Sequence, residues 1–235
     1  MTQPLANKTA LITGSTNGLG RALAMNMAKQ GAHIIALGRT VGALEELDDD
    51  IKKTGGQTTL VPLDLQELEN IDALGPSLFG RFEKLDYFIA GAGYLGGLAP
   101  LTHYKTAEWN KVITTNLTAN FALIRTLHPL LARAEHSSAI FITDKAPDNR
   151  GTAYWGPYGA SKAALETLVQ SYAAECQETS VRTLTINPGP MPTALRRKAY
   201  PGEDTTPLQD TASYAQKITD LLTENAYNNG DLITL

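Results

Sequence analysis

Short apolar runs alternate with longer amphipathic stretches along the whole chain. Thr9–Thr13, His33–Leu37, Thr58–Leu63, Leu85–Ala90, Ala139–Thr143 and Val181–Ile186 are short and rich in aliphatic and β-branched residues. Such runs predict strands buried on both faces. Asp231–Leu235 adds a short terminal strand. Apolar positions at helical spacing predict helices over Leu19–Gln30, Val41–Lys53, Gln66–Phe79, Pro157–Gln177 and Ser213–Glu224. Gly31 ends the first of these as a C′ glycine, and Gly55-Gly56 closes the second. A longer helical region, Ala107 to Glu135, carries Trp109, Val112, Ile113, Leu117, Phe121, Ile124 and Leu127 on one period, with Pro129 expected to break or kink it. Asn187 to Gln209 holds prolines at 188, 190, 192, 201 and 207 and reads as loop.

Repeated strand–helix units imply an α/β fold: a single-domain, Rossmann-like, doubly wound parallel sheet with helices on both faces. No linker, repeat or low-complexity segment divides residues 1–235, so one domain is expected, with a substrate-loop region at about 188–209. Ligands in such sheets bind at the carboxyl ends of the strands. The chemistry is therefore sought just after each strand.

Composition narrows the classes. At 235 residues, 43% hydrophobic and 19% charged, the chain has enough apolar side chains for a sizeable core. A net charge of −4 argues against nucleic-acid or anionic-membrane partners. Cys176 is the single cysteine and has no disulfide partner within the chain. The four histidines, His33, His103, His128 and His136, lack ligand spacing, so no metal site is expected. The N-terminus shows no signal-peptide pattern, no stretch reaches the length of a membrane span, and a cytoplasmic location is expected.

Thr13-Gly14-Ser15-Thr16-Asn17-Gly18-Leu19-Gly20 joins the first strand to the first helix. Glycines there permit a tight turn and close approach of a diphosphate, and the helix N-terminus offers N–H groups to it. The order is G-x-x-x-G-x-G, and no Gly-Lys-Ser/Thr follows. Gly38-Arg39-Thr40 ends the second strand without an acidic residue. An acid there would bind a ribose hydroxyl of NAD, whereas an Arg accommodates the extra phosphate of NADP, so NADP(H) is favoured over NAD(H). Arg39 as a plain surface charge is the alternative. Asp64-Leu65 follows the third strand; Asp64 fits an adenine amino group or an N-cap of the next helix. Gly91-Ala92-Gly93 follows the fourth and leaves room for a ribose. Tyr158 and Lys162 lie four apart at a helix start, which places phenol and ammonium on one face. A cation beside a phenol favours the phenolate and suits it to proton transfer.

Together these motifs, with Asn116 and Pro188-Gly189-x-x-x-Thr193, resemble the short-chain dehydrogenase/reductase family over almost the whole chain. The resemblance implies hydride exchange between NAD(P) and a small alcohol/carbonyl substrate. It implies Tyr158 as general acid or base, Lys162 as the residue that holds the nicotinamide ribose and lowers the Tyr158 pKa, and Asn116 as organiser of a water that relays protons to Lys162. Pro188, Gly189 and Thr193 would hold the nicotinamide end. A homodimer or homotetramer built on the long helices is implied as well.

One position departs from the family. A serine is expected about 13 residues before the tyrosine, but Lys145 stands there, preceded by Asp144. Lys145 could donate to a substrate oxygen; an ionised Asp144 can only accept and opposes phenolate formation. Thr143 enters only with a shift of two residues. Gly91 stands where the family often has Asn. Two functions follow from this: an NADP(H)-dependent oxidoreductase, or a cofactor-binding sensor or scaffold with little turnover. Substrate contacts are expected from Gly93–His103, Asp144–Trp155 and Met191–Pro207, with Tyr94, Leu95, Leu98, Leu195 and Tyr200 making the pocket partly apolar. The charges of Arg196, Arg197 and Lys198 read as a solvated cluster.

Overall fold

The computed structural model describes residues 3–144 and 151–235. Seven strands form one parallel sheet: β1 (Thr9–Thr13), β2 (His33–Gly38), β3 (Gln57–Pro62), β4 (Tyr87–Ala90), β5 (Ser137–Ile142), β6 (Val181–Asn187) and β7 (Asp231–Thr234). Their order across the sheet is β3-β2-β1-β4-β5-β6-β7. Every neighbouring pair is parallel, with Ala10 opposite Ile34 on one side of β1 and opposite Tyr87 on the other. The order reverses between β1 and β4, which opens a crevice at their carboxyl ends.

The helices are α1 (Gly18–Lys29), α2 (Val41–Lys53), α3 (Leu68–Phe79), α4 (Thr106–Ile113), α5 (Ala119–Leu131), α6 (Gly156–Glu175), α7 (Ala194–Ala199) and α8 (Thr211–Thr223). Two separate apolar clusters show that both sheet faces are covered. Ile12, Ile34, Ile89 and Ile140 pack with Leu23, Met27, Leu47 and Ile218 of α1, α2 and α8. Leu11, Ile35, Phe88 and Phe141 pack with Leu74, Leu123, Leu165 and Val169 of α3, α5 and α6. Adjacent strand residues thus feed opposite cores, and the strands read as continuous apolar runs for that reason.

Three sequence expectations need correction. The region Ala107–Glu135 is not one helix: a π-helical turn, Thr114–Thr118, separates α4 from α5. Pro129 does not break α5, which continues to Leu131; Leu127, Leu130 and Leu131 are buried and offset the lost hydrogen bond. The segment after β6 is not all loop, because it holds α7, whose first turn is capped by the Thr193 hydroxyl accepting from the Arg196 N–H at 3.2 Å. Cys176 is buried at the C-cap of α6. Among the described residues no group of three His, Cys, Asp or Glu side chains could hold a metal ion, and no helix is long and apolar enough to cross a membrane.

Candidate active site

A cleft of about 1420 Å³ runs along the carboxyl ends of the strands, from β3 past β1 and β4 to β6. Every cofactor residue expected from the sequence borders it except Ser15. Ser15 is fully buried and donates its hydroxyl to the Leu37 carbonyl at 3.2 Å, tying the glycine turn to β2.

The turn after β1 needs its glycines. Gly14 has φ 67, a left-handed conformation, and a Cβ there would lie 2.9 Å from the Ala92 Cα. A Cβ on Gly20 would overlap the Gly14 carbonyl oxygen. The turn can therefore close only without side chains at both positions. Asn17 is the N-cap of α1, but its side chain makes no capping bond, and the first turn carries no acid. That turn borders the cleft, and a helix N-terminus with no side-chain cap and no acid is an arrangement suited to a phosphate.

Arg39, at the end of β2, is 63% exposed and lies 3.9 Å from Asp64 Oδ2 after β3. Asp64 is not the N-cap of α3, a place taken by Glu67; its Oδ1 instead accepts from the Gln66 N–H at 3.0 Å. Leu65 beside it is buried. On the far side of β1, the Ala92 N–H donates to Thr13 Oγ1 at 3.1 Å, which keeps the Gly91–Gly93 strand end against the glycine turn.

Asn116 sits on the π-helical turn, fully buried and outside the cleft wall. Its Oδ1 accepts from the Tyr94 N–H at 2.7 Å, and its Nδ2 donates to the Tyr94 carbonyl at 3.0 Å and to Ser161 Oγ at 2.9 Å. Ser161 in turn donates to the Tyr158 carbonyl at 2.7 Å. Asn116 thus braces the loop after β4 against the first turn of α6. Its own carbonyl accepts from Asn120 Nδ2 at 2.7 Å. Ser161 had no signal in the sequence, because its bond to Asn116 joins segments that only the fold brings together; the Asn120 bond is a local contact one helical turn long that no motif marks.

The N-terminal turns of α6 aim Tyr158 and Lys162 at the end of β5. Both are buried. Lys162 Nζ donates to the Ile142 carbonyl at 2.8 Å and lies 5.8 Å from the Tyr158 ring centre. The Tyr158 hydroxyl donates to Asp144 Oδ2 at 2.9 Å. Asp144 is thus the residue that faces the phenol; Lys145 lies outside the described residues. Thr143 is directed elsewhere, donating its hydroxyl to Glu166 Oε1 at 2.7 Å.

The electrostatics differ from the sequence expectation. Lys162 does not hold the Tyr158 phenol below its ordinary pKa: burial, then the charge of Asp144 and the hydrogen bond to it, push it well above. Burial pulls the Lys162 ammonium below its ordinary value, against the opposing charges of Asp144 and Glu166. Burial thus disfavours the charged form of each group, the phenolate of Tyr158 and the ammonium of Lys162.

Beyond Tyr158 the wall is apolar. Leu95, Trp155, Tyr158 and Ala199 form a small cluster with Leu195 and Tyr200 packed on it. The Trp155 ring centre lies 5.7 Å from those of both Tyr158 and Tyr200. Of the residues expected to line the pocket, Leu98 is exposed and stands outside the cleft. Arg196 is not a solvated charge: it donates to both carboxylate oxygens of Glu203, at 2.8 and 2.5 Å, and its guanidinium stacks 3.8 Å from the Tyr200 ring centre. Lys198, which is exposed, lies over Tyr94 at 5.4 Å, on the opposite lip of the cleft.

With this geometry in view, the chain's relatives are informative. The family model of the short chain dehydrogenases matches residues 8–204. The uncharacterized oxidoreductase YciK of Escherichia coli (strain K12) is 36% identical over 211 residues, covering 88% of this chain and 83% of that protein. A short chain dehydrogenase from Salmonella enterica serovar Typhi superposes with a TM-score of 0.94 at 30% identity, over 100% of this chain and 98% of that one. A short chain dehydrogenase from Shigella flexneri, solved in complex with NADP, gives a TM-score of 0.91 at 32% identity, over 100% and 99% of the two chains.

Proposed function

Since this chain belongs to the short-chain dehydrogenase family, we propose that it is an NADP(H)-dependent oxidoreductase that exchanges a hydride between the dinucleotide and an alcohol/carbonyl carbon held at Tyr158. The observation that carries the reading is the buried Tyr158–Lys162 pair at the end of the same cleft whose other end is the uncapped N-terminus of α1.

The residues fit such a cofactor along its length. The first turn of α1, from Gly18 to Gly20, suits the diphosphate. Arg39 suits the extra phosphate that distinguishes NADP from NAD, and Gly38-Arg39-Thr40 itself carries no carboxylate; the Asp64 carboxylate lies 3.9 Å from Arg39 across the sheet edge. Leu65 and Ala92 suit the adenosine end, and Lys162, Pro188, Gly189 and Thr193 the nicotinamide end. The bound dinucleotide supplies or removes the hydride.

The protein's own part is the proton. A phenol kept protonated by its surroundings is a proton donor to a developing alkoxide, which is far more basic. Lys162 deprotonates more readily than an exposed lysine and so can return a proton toward Tyr158. Asn116 acts on Tyr158 through Ser161 and the α6 backbone, as a positioning residue. A sensor with little turnover has one observation in its favour: the phenol proton is directed at Asp144 instead of the open cleft.

The test is direct titration with NADPH and NADH. NADPH is expected to bind at least about tenfold tighter, since a charge-assisted contact is worth about 1.5–3 kcal/mol. Arg39→Ala should remove most of that preference while leaving NADH binding nearly unchanged. Equal affinity for the two, before and after the substitution, would sink the assignment of NADP(H).

A further inference from the structure

We propose that the substrate is an anion: an oxo or hydroxy compound whose carboxylate or phosphate is held between Lys111 on α4 and Lys198 on α7, beside Tyr94. This rests on the oxidoreductase reading above and narrows it to a substrate class.

Charge is unevenly placed along the cleft. The chain as a whole has a net charge of −4. Yet among the described residues Asp64 and Asp144 are the only side-chain carboxylates that border the cleft, against a larger number of lysines and arginines. Several of those cations have partners. Arg21 pairs with Asp50, Arg39 lies beside Asp64, and Arg196 is matched by Glu203. Lys162 is buried and donates to the Ile142 carbonyl. Arg197 reaches the Pro192 carbonyl at 3.5 Å, and Lys29 lies in the last turn of α1, where its charge complements the helix dipole. Lys111 and Lys198 pair with no carboxylate among the described residues.

Both meet at one ring instead. Lys111 Nζ lies 4.8 Å and Lys198 Nζ 5.4 Å from the centre of the Tyr94 ring. The two ammoniums are therefore within about 10 Å of each other, roughly the screening length at 0.1 M salt, and repel. Glu108, three residues before Lys111 on α4, is at helical pairing distance. Its Oε1 accepts from the Tyr94 hydroxyl at 2.9 Å and the Gly97 N–H at 3.1 Å instead. Tyr94 is fixed at its other end too, where Asn116 bonds both its N–H and its carbonyl. The ring is thus a fixed post between two mobile cations. A lysine over a ring is held less firmly than one bonded to an anion. An anion that enters between the two relieves their repulsion and gains charge-assisted hydrogen bonds from both.

Position assigns that anion to the substrate. The phosphates of the dinucleotide are suited by the first turn of α1 and by Arg39. Tyr94 follows Gly93, where a Cβ would lie 3.8 Å from Lys162 Nζ, so the lysine pair adjoins the reacting end of the cleft. Leu95, next to Tyr94, packs with Trp155 and Tyr158, as do Leu195 and Ala199 of α7, near Lys198. Each lip thus supplies an apolar side chain at Tyr158 and, from a nearby position, a lysine or the ring beneath it. The substrate that fits has its oxygen at Tyr158, a hydrocarbon stretch along Leu95 and Leu195, and a negative group at Lys111 and Lys198. The negative group takes no part in hydride or proton transfer; it orients the molecule.

The probes are levulinate and its homologues longer by two and by four methylenes, each beside its methyl ester. Calorimetric titration into the NADP-loaded chain at neutral pH is expected to show, for at least one length, the acid binding at least about tenfold tighter than the ester. The double variant Lys111→Gln, Lys198→Gln should remove that preference. The double variant Lys111→Arg, Lys198→Arg, which keeps both charges, should retain most of it. Equal or undetectable binding of acid and ester at every length overturns the proposal, as does a preference that survives the glutamine variant. Loss of the preference in the arginine variant as well assigns the effect to packing and overturns it too. NADPH titration of the same proteins separates the other failures. The glutamine variant is expected to bind NADPH within about threefold of wild type; a loss of about tenfold or more assigns the lysines to the cofactor's phosphates and overturns the proposal. Absent NADPH binding by the wild-type chain defeats the oxidoreductase reading, whereas intact NADPH binding without acid preference defeats only the substrate class.

Discussion

Of the groups that set the behaviour of Tyr158, only Lys162 was visible as a spacing. Lys162 falls four residues on, so the pair could be read from the chain. Asp144 could be identified as a departure, but whether it or Lys145 meets the phenol depends on how the chain leaves β5. The Asn116–Ser161 bond spans 45 residues and has no local pattern at all. Asn116→Ala would leave the part-buried Tyr94 N–H and carbonyl without their side-chain partner. We expect it to lower unfolding free energy by about 1–3 kcal/mol in urea titration. Turnover should fall more than cofactor affinity, because the brace acts on α6. Burial has a second consequence at this scale. Tyr158 and Tyr172 are held well above the ordinary phenol pKa, and Tyr87 is pushed up to about 12. These groups stay protonated when folded at a pH where the unfolded chain has lost the same protons. Their contribution is complete below about pH 10 and is lost as pH rises from there through the folded values. Lys162 acts in the opposite sense but is one group against several. Stability measured by urea unfolding should decline above about pH 10, with the part of the tyrosinate absorbance that belongs to these three buried phenols appearing only as the chain unfolds.

At the scale of elements, the strands were legible because a parallel sheet buried on both faces leaves continuous apolar runs. The long helices were legible because their apolar faces repeat. The two elements that matter most beside the site were not. The π-helical turn at Thr114–Thr118 keeps the same side-chain period on either side, so the break leaves no trace in the pattern. The helix α7 is six residues long and is defined by polar contacts, the Thr193 cap and the Arg196–Glu203 pair, amid prolines that read as loop. The same Thr193 lies against the glycine turn: a Cβ on Gly18 would be 3.2 Å from its methyl group. Thr193→Ala therefore removes both a cap, worth about 1 kcal/mol, and a contact between the two ends of the cleft. It should expose the segment around α7 to limited proteolysis and weaken NADPH binding several-fold, with little change in the midpoint of global unfolding.

The whole molecule divides its work between the two ends of the sheet. At the carboxyl ends lie the glycine turn, the cleft and Tyr158. At the opposite end Asp86, almost fully buried, accepts from the Thr9 N–H at 3.0 Å and pairs with Lys8 at 2.9 Å and Lys84 at 3.5 Å, holding the starts of β1 and β4 together. Asp86→Ala should cost about 1–3 kcal/mol of stability and leave NADPH affinity unchanged, as thermal unfolding and fluorescence titration would show. The division explains why fold and family could be read early and the active-site chemistry only in part. Strand order and the glycine turn are written in local patterns, whereas the partner of Tyr158 is chosen by tertiary contact.

The most direct measurement is NADPH oxidation with a carbonyl substrate by the wild-type chain and by Tyr158→Phe, alongside NADPH binding to each. If Tyr158 is the proton donor, the phenylalanine variant keeps NADPH affinity within about threefold and loses about 10² to 10⁴ in kcat. Unchanged kcat in that variant would contradict the role of Tyr158 and with it the proposed chemistry of the cleft.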